Sequence, residues 1–305
     1  MTACLICLEN AGADSVHKAC AQELYGSDKA PHLDVELAKL HTLGLAMVGH
    51  TSISGIQRKI SLSHNAGRNT LQVAVDGGRY ILKPQAQTFP NLPENEHVTM
   101  RLAELVGLAV PKCGLITLKD GTLAYLVKRF DRTETGKLRQ EDFCQLAGKS
   151  PKEKYDSSVE QCFKLVDKFA SEPGIEKLKL LHLMMFLWWT GNGDMHLKNF
   201  SVLTTDGVHA LSPVYDLLCT RLVIPGDQLA LSIAGKKDKL TPRVWLDLAK
   251  YAGIPAKAYE RLAKGFKSAQ DDAVGLVGRS FLPGEMREAY VDLLGSRVRT
   301  FLPRG

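Results

Sequence analysis

The chain has 305 residues, of which 45% are hydrophobic and 24% charged, the make-up of an ordinary globular protein of one large or two small domains. A formal net charge of +6 is mild; it suits nucleotides, acidic protein surfaces or nucleic acid and selects none of them. No stretch has the length and apolarity of a membrane span, and residues 1–30 lack the basic-then-apolar order of a secretory leader. A cytoplasmic chain with no membrane contact is therefore expected, with export by a signal-less route left open.

Residues 1–30 form a Cys-bearing segment. Cys4 and Cys7 are followed by His17 and Cys20, two close pairs of ligand-type side chains that suit tetrahedral zinc. The alternative is reduced thiols packing a short helix over 15–25. Leu33, Val35, Leu37, Leu40 and Leu43 give an apolar stripe that predicts a helix over 31–45. A small, polar, basic stretch follows, Val48 to Lys59, with two glycines and two serines at Ser52 and Ser54. Such a loop either wraps phosphates with backbone N–H groups or is a surface hairpin connection.

Alternating residues then predict an antiparallel sheet: Ile60 and Leu62, Leu71 to Val75, a turn at Asp76-Gly77-Gly78-Arg79, and Tyr80-Ile81-Leu82-Lys83. Lys83, emerging from an apolar strand, either reaches phosphate oxygens or guards a sheet edge. A helix is expected from Glu94 to about Gly107. Glu96 lies in its first turn, where it favours the helix dipole or pairs with Lys83. Two more strands, 113–118 and 123–130, end the sheet region. This predicts a segment 1–30, a sheet-rich lobe 31–127 and a helical lobe 128–305.

In the last of these, helices are expected over 140–147, 158–170, 174–189, 241–251, 256–269 and 283–302, with an extended piece over 223–233. The apolar run Leu180 to Trp189 delivers the central polar stretch, Gly191-Asn192-Gly193-Asp194-Met195-His196-Leu197-Lys198-Asn199. Asp216 follows after a predicted hairpin. An Asp, an Asn five residues on and a second Asp seventeen further fit phosphoryl transfer: one carboxylate for the hydroxyl proton, an amide oxygen and a second carboxylate for Mg²⁺. Turn chemistry alone also favours Asp and Asn here, but an apolar frame excludes uncompensated charge. Cys113, Cys144, Cys162 and Cys219, in apolar settings, read as reduced core residues.

Gly/Ser loop, strand lysine, helix glutamate, helical lobe, Asp…Asn, then Asp is the order of a bilobal kinase. The particular residues (52–59, 81–84, 94–96, 128–132, 140–142, 191–200 and 211–216) resemble the HipA family of serine/threonine kinase toxins over roughly residues 45–235. The resemblance implies an α+β, bilobal protein-kinase-like fold, ATP and Mg²⁺ as cofactors, and Asp194 as catalytic base. It implies Asn199 and Asp216 as Mg²⁺ ligands, Lys83 on the nucleotide phosphates, and Ser52, Ile53, Ser54 and Gly55 covering them. Tyr125 to Val127 would lie beside adenine, with His196 and Lys198 near the nucleotide.

The early position of the loop and its Ser-Ile-Ser resemble the short HipT-type members of HipBST-like systems. Ser52 and Ser54 would then be autophosphorylation sites, and a phosphate there should weaken ATP binding by charge. The implied partners are an aminoacyl-tRNA synthetase as substrate, a helix-turn-helix antitoxin through which DNA is reached, and a small HipS-like protein. The leader with Cys4, Cys7, His17 and Cys20 resembles short leaders of some HipA-like chains. Motifs of eukaryotic kinases, His-Arg-Asp and Asp-Phe-Gly, are absent as such, since Leu217-Leu218 follows Asp216. A small-molecule kinase, or a silent kinase-fold subunit of a DNA repressor, are the rival functions.

Overall fold

The computed structural model describes residues 2–46 and 58–302; Ser52, Ile53, Ser54 and Gly55 lie outside them. The chain divides into two compact units. The first comprises Met1–Arg101, Pro111–Phe130 and Gly278–Leu282, the second Leu102–Val110, Asp131–Val277 and Pro283–Gly305.

Helices α1 (Lys18–Tyr25) and α2 (Leu37–Ala46) precede the strands β1 (Ile60–Asn65), β2 (Thr70–Val73) and β3 (Tyr80–Lys83). Helix α3 (Leu92–Leu105) separates them from β4 (Cys113–Thr117) and β5 (Leu123–Lys128). The five strands make one antiparallel sheet in the order β2-β1-β3-β5-β4. Alternation puts Ile60, Leu62, Tyr80, Leu82, Ala124 and Leu126 on one face. There they bury against Leu24 and Tyr25 of α1 and Leu40 of α2, so the N-terminal segment is part of the core that covers the sheet.

In the second unit, β6 (Arg139–Asp142) leads into the short helix α4 (Phe143–Leu146), followed by α5 (Val159–Phe169) and α6 (Pro173–Thr190). Strands β7 (Ser201–Thr205) and β8 (Val208–Leu211) form a hairpin, giving the sheet β6-β7-β8. Helices α7 (Pro242–Tyr251), α8 (Ala256–Ser268), α9 (Gln270–Gly278) and α10 (Gly284–Val298) follow. From Leu180 onward helix α6 is apolar on nearly all sides, His182 apart, and is buried accordingly. Trp189 packs edge-on to Phe266 at 5.3 Å, Phe266 meets Phe301 at 5.1 Å, and Trp245 meets Phe301 at 5.5 Å.

Several expectations fail. The helix expected over 31–45 begins only at Leu37, and the chain before it is irregular apart from an isolated bridge between His32 and Thr70. The helix expected over 140–147 begins only at Phe143, because Asp142 is its N-cap: its carboxylate accepts from the Gln145 N–H at 2.8 Å and its own backbone is extended. Gln140 to Asp142 instead pair with Leu203 to Ser201. In place of the extended piece over 223–233, a short 3₁₀ turn at Thr220–Leu222 is followed by irregular chain with isolated bridges, Ser158 to Ser232 and Ile233 to Lys236. Leu229, Leu231 and Ile233 are buried without a ladder, so apolarity there marks core and not a strand. Helix α9 was not anticipated.

Candidate active site

Helix α6 ends at Gly191, whose left-handed backbone (φ 73°) caps the last turn. Asn192, 1% exposed, accepts the Asp194 N–H on its Oδ1 at 2.9 Å, an Asx turn that aims the next residues outward. Gly193 donates its N–H to Thr220 Oγ1 at 2.8 Å. A Cβ at Gly193 would come within 2.1 Å of Asp227 Oδ2 and 2.3 Å of the Gln228 carbonyl, so only glycine fits.

Asp194 is exposed at the end of this turn. Its backbone carbonyl accepts from the His196 N–H at 2.9 Å and from the Asn199 side-chain amide at 3.1 Å. The bond from Asn199 Nδ2 leaves Oδ1 as the atom through which that side chain could hold a metal. The Asp194 carboxylate accepts from the Tyr155 hydroxyl at 2.6 Å. Burial, and next the Asp194 carboxylate, push the Tyr155 hydroxyl well above the phenol range, so it remains a donor. His196 is buried edge-on to Tyr155 at 5.0 Å, and its Nδ1 has no hydrogen-bond partner among the described residues. Burial lowers the pKa of its ring, against the pull of Asp194 and, more weakly, Asp216; both carboxylates therefore act on one imidazole.

Asp216 has a left-handed backbone, φ 56°, a conformation Asp tolerates better than most residues and one that collects at functional turns. Its neighbour Tyr215 donates to the Lys198 carbonyl at 3.3 Å, and the same hydroxyl lies 3.1 Å from Ser201 Oγ. Ser201 Oγ also meets Ser212 Oγ at 2.9 Å and accepts from Gln140 Nε2 at 2.8 Å. This polar network ties the chain at Asp216 to the turn that carries Asn199. Lys198 pairs with Asp142 at 2.8 Å.

In the first unit, Lys83 and Glu96 form a buried ion pair, Nζ to Oε1 2.5 Å, with side chains 5% and 2% exposed. Lys83 Nζ stands 5.6 Å from the centroid of the Tyr125 ring, its partner across β3 and β5.

Residues 51–274 match the family described as HipA-like C-terminal domain. The chain belongs to that family. A relative in Sinorhizobium fredii, named provisionally as the kinase Y4mE, is 33% identical over 240 residues, 74% of this chain and 56% of that protein. The serine/threonine-protein kinase toxin HipA of Shewanella oneidensis is 29% identical over 209 residues, 61% of this chain and 47% of that one. The chain thus spans about half the length of these curated relatives. The fold is kinase-like. A Shewanella oneidensis complex of HipA, HipB and operator DNA superposes with a TM-score of 0.70 at 21% identity, covering 87% of this chain and 70% of that one. The Helicobacter pylori proinflammatory kinase CtkA superposes with a TM-score of 0.55 at 18% identity, over 79% and 90% of the two chains.

For this HipA-like chain, Asp194, His196, Lys198, Asn199 and Asp216 all fall in the second unit, and Lys83, Tyr125 and Val127 in the first. Tyr125 is a buried strand residue; Val127 pairs with Ile81 and Cys113. Sequence reasoning missed Tyr155, Asn192, Thr220 and Asp227, which shape the turn around Asp194. The Asn192 spacing is a readable Asx signal; Tyr155, 39 residues from Asp194, leaves none. The ligand atoms of Cys4, Cys7, His17 and Cys20 lie within 4.8 Å of one another. Cys113, Cys144, Cys162 and Cys219 are buried cysteines outside any disulfide. No described helix is long and apolar enough to cross a membrane.

Proposed function

We propose that the chain is an ATP- and Mg²⁺-dependent serine/threonine protein kinase that acts as the toxin of a toxin–antitoxin pair. The observation that carries this reading is the Asp194 carbonyl, which holds both the His196 N–H and the Asn199 amide and so makes one rigid turn of a carboxylate and an amide oxygen. The donor set fits magnesium: Asn199 Oδ1 and the Asp216 carboxylate are hard oxygen ligands. Magnesium, when bound, neutralises the charge of the nucleotide phosphates.

Tyr155 occupies Asp194 Oδ1 and leaves Oδ2 to take the proton of the attacking serine or threonine hydroxyl. As that oxygen bonds to the γ-phosphorus, the bond to the β-phosphate oxygen breaks and ADP leaves. Lys83, oriented by Glu96, is the nucleotide-phosphate lysine of this proposal. Ser52 and Ser54 are proposed autophosphorylation sites.

By family analogy the protein substrate is an aminoacyl-tRNA synthetase and the antitoxin a helix-turn-helix protein, supported by the HipB and operator DNA of the Shewanella complex. A small HipS-like protein is the proposed third component. Phosphoproteomics after brief induction of wild type and Asp194→Gln tests the reading. Phosphopeptides on a synthetase and at Ser52 or Ser54 in wild type alone are expected. No ATP-dependent mass shift on any protein would overturn it and favour a small-molecule kinase or a silent module.

A further inference from the structure

The N-terminal segment lies outside the phosphoryl-transfer chemistry, yet it gathers four ligand-type side chains into one cluster. Cys7 Sγ and Cys20 Sγ lie 3.2 and 3.8 Å from His17 Nδ1, and Cys4 Sγ completes a group whose members are all within 4.8 Å. Ligands at zinc bond lengths of about 2.0–2.3 Å in a tetrahedron stand roughly 3.5 Å apart, so the spacing is that of a shell around one ion. All three thiols are free.

Two independent details point to a ligand. His17 Nε2 sits 3.0 Å from the Asn10 carbonyl. A carbonyl only accepts, so Nε2 carries the proton and the lone pair on Nδ1 faces the three sulfurs, the orientation in which histidine binds a metal. Leu8, directly after Cys7, is left-handed at φ 67°. A non-glycine residue keeps that conformation only where its surroundings over-determine it, and a Cys-x2-Cys loop closed on an ion does so.

The loop also touches the machinery. Its two inner residues use their carbonyls outward: Leu5 O accepts from the Leu115 N–H on β4 at 2.7 Å, and Ile6 O accepts from His97 Nε2 on α3 at 2.8 Å. At Gly114 a Cβ would stand 2.8 Å from Ile6 Cγ1, so loop and strand are in direct contact. His97 is buried and is the residue after Glu96.

We propose that Cys4, Cys7, His17 and Cys20 bind one structural Zn²⁺, and that the loop so closed clamps α3 through Ile6 and His97, holding Glu96 against Lys83. His97 is a positioning residue in this scheme. Without the ion, Ile6 O is free to withdraw and leaves a buried imidazole N–H without its acceptor, which loosens the helix.

The test uses the full chain purified without chelator or metal resin. Elemental analysis should find one zinc per chain in wild type and none in Cys7→Ser/Cys20→Ser. Removing zinc with a chelator should speed amide hydrogen exchange over residues 92–101 about tenfold or more, and added Zn²⁺ should reverse it, with 180–190 unchanged. If the stripped unit unfolds outright, zinc-loaded His97→Gln decides: stoichiometric zinc with fast exchange over 92–101 supports the clamp. Failure of wild type to take up stoichiometric zinc, or wild-type exchange over 92–101 in the zinc-loaded variant, overturns the proposal. Neither readout depends on kinase activity.

Discussion

Consider removing one charge of the Lys83–Glu96 pair. Both side chains are almost wholly buried, at 5% and 2% exposure, and 2.5 Å apart. Deleting one partner of such a pair takes from the buried charge its closest compensation and costs about 3–5 kcal/mol. Replacing both by apolar residues of similar volume costs far less, because the desolvation penalty disappears with the charges. Glu96→Leu should therefore open the first unit, whereas Lys83→Met/Glu96→Leu should recover most of the loss. All three tryptophans, Trp188, Trp189 and Trp245, lie in the second unit, so their fluorescence would miss the effect. Hydrogen exchange over residues 80–83 and 92–101 reads it directly. The single variant should exchange between about a hundred- and a few thousand-fold faster, and the double variant within about tenfold of wild type. Nucleotide affinity should be lost in both, since the double variant restores packing and not the lysine. A double variant as open as the sum of its two singles would refute the burial argument.

Other expectations follow from the same geometry. Gly193→Ala forces the new methyl against the Gln228 carbonyl and the Asp227 carboxylate. This should cost about 1–3 kcal/mol of stability by overpacking and lower phosphate incorporation at least about a hundredfold by moving Asp194, checked by urea melts and radiolabelled ATP. His182 lines a pocket with Met195 and Pro213 and stacks edge-on to Phe266; burial lowers its pKa from 6.5 to about 4. The unfolded chain then binds the extra proton between these values, so stability is full above pH 6.5 and falls as pH drops towards 4. The full shift is worth about 3 kcal/mol, discounted to about 2 for the ring's partial exposure. Tryptophan fluorescence melts across pH 4–7 should show this slope in wild type and a flatter one in His182→Leu.

The legible parts of the molecule were those in which one segment states its own environment. Leu180 to Trp189 is too apolar to be anything but core, and the polar residues after it, opened by Gly191, could only be a built turn. Alternation likewise marked β1, β3 and β5. The Lys83–Glu96 pair was one of two readings of Glu96, and the structure selects it: α3 begins at Leu92, so Glu94 and not Glu96 lies in its first turn. Other parts depend on distant partners. Gln140 to Asp142 look helical until Ser201 to Leu203 offer a ladder. The Tyr155–Asp194 contact joins residues 39 apart with no shared pattern. Residues 223–233 show that an apolar run reports burial but not backbone conformation when a Pro225-Gly226 break leaves no continuous ladder.

The account rests on Asn199 and Asp216 acting together as the oxygen ligands of a magnesium nucleotide beside Asp194. Isothermal titration of ATP into wild type, Asn199→Ala and Asp216→Ala, each with and without Mg²⁺, tests it most directly. The account predicts magnesium-dependent binding in wild type and at least about tenfold weaker binding in each variant, with the magnesium dependence lost. Equal affinity in all three proteins, or binding in wild type indifferent to magnesium, would contradict it.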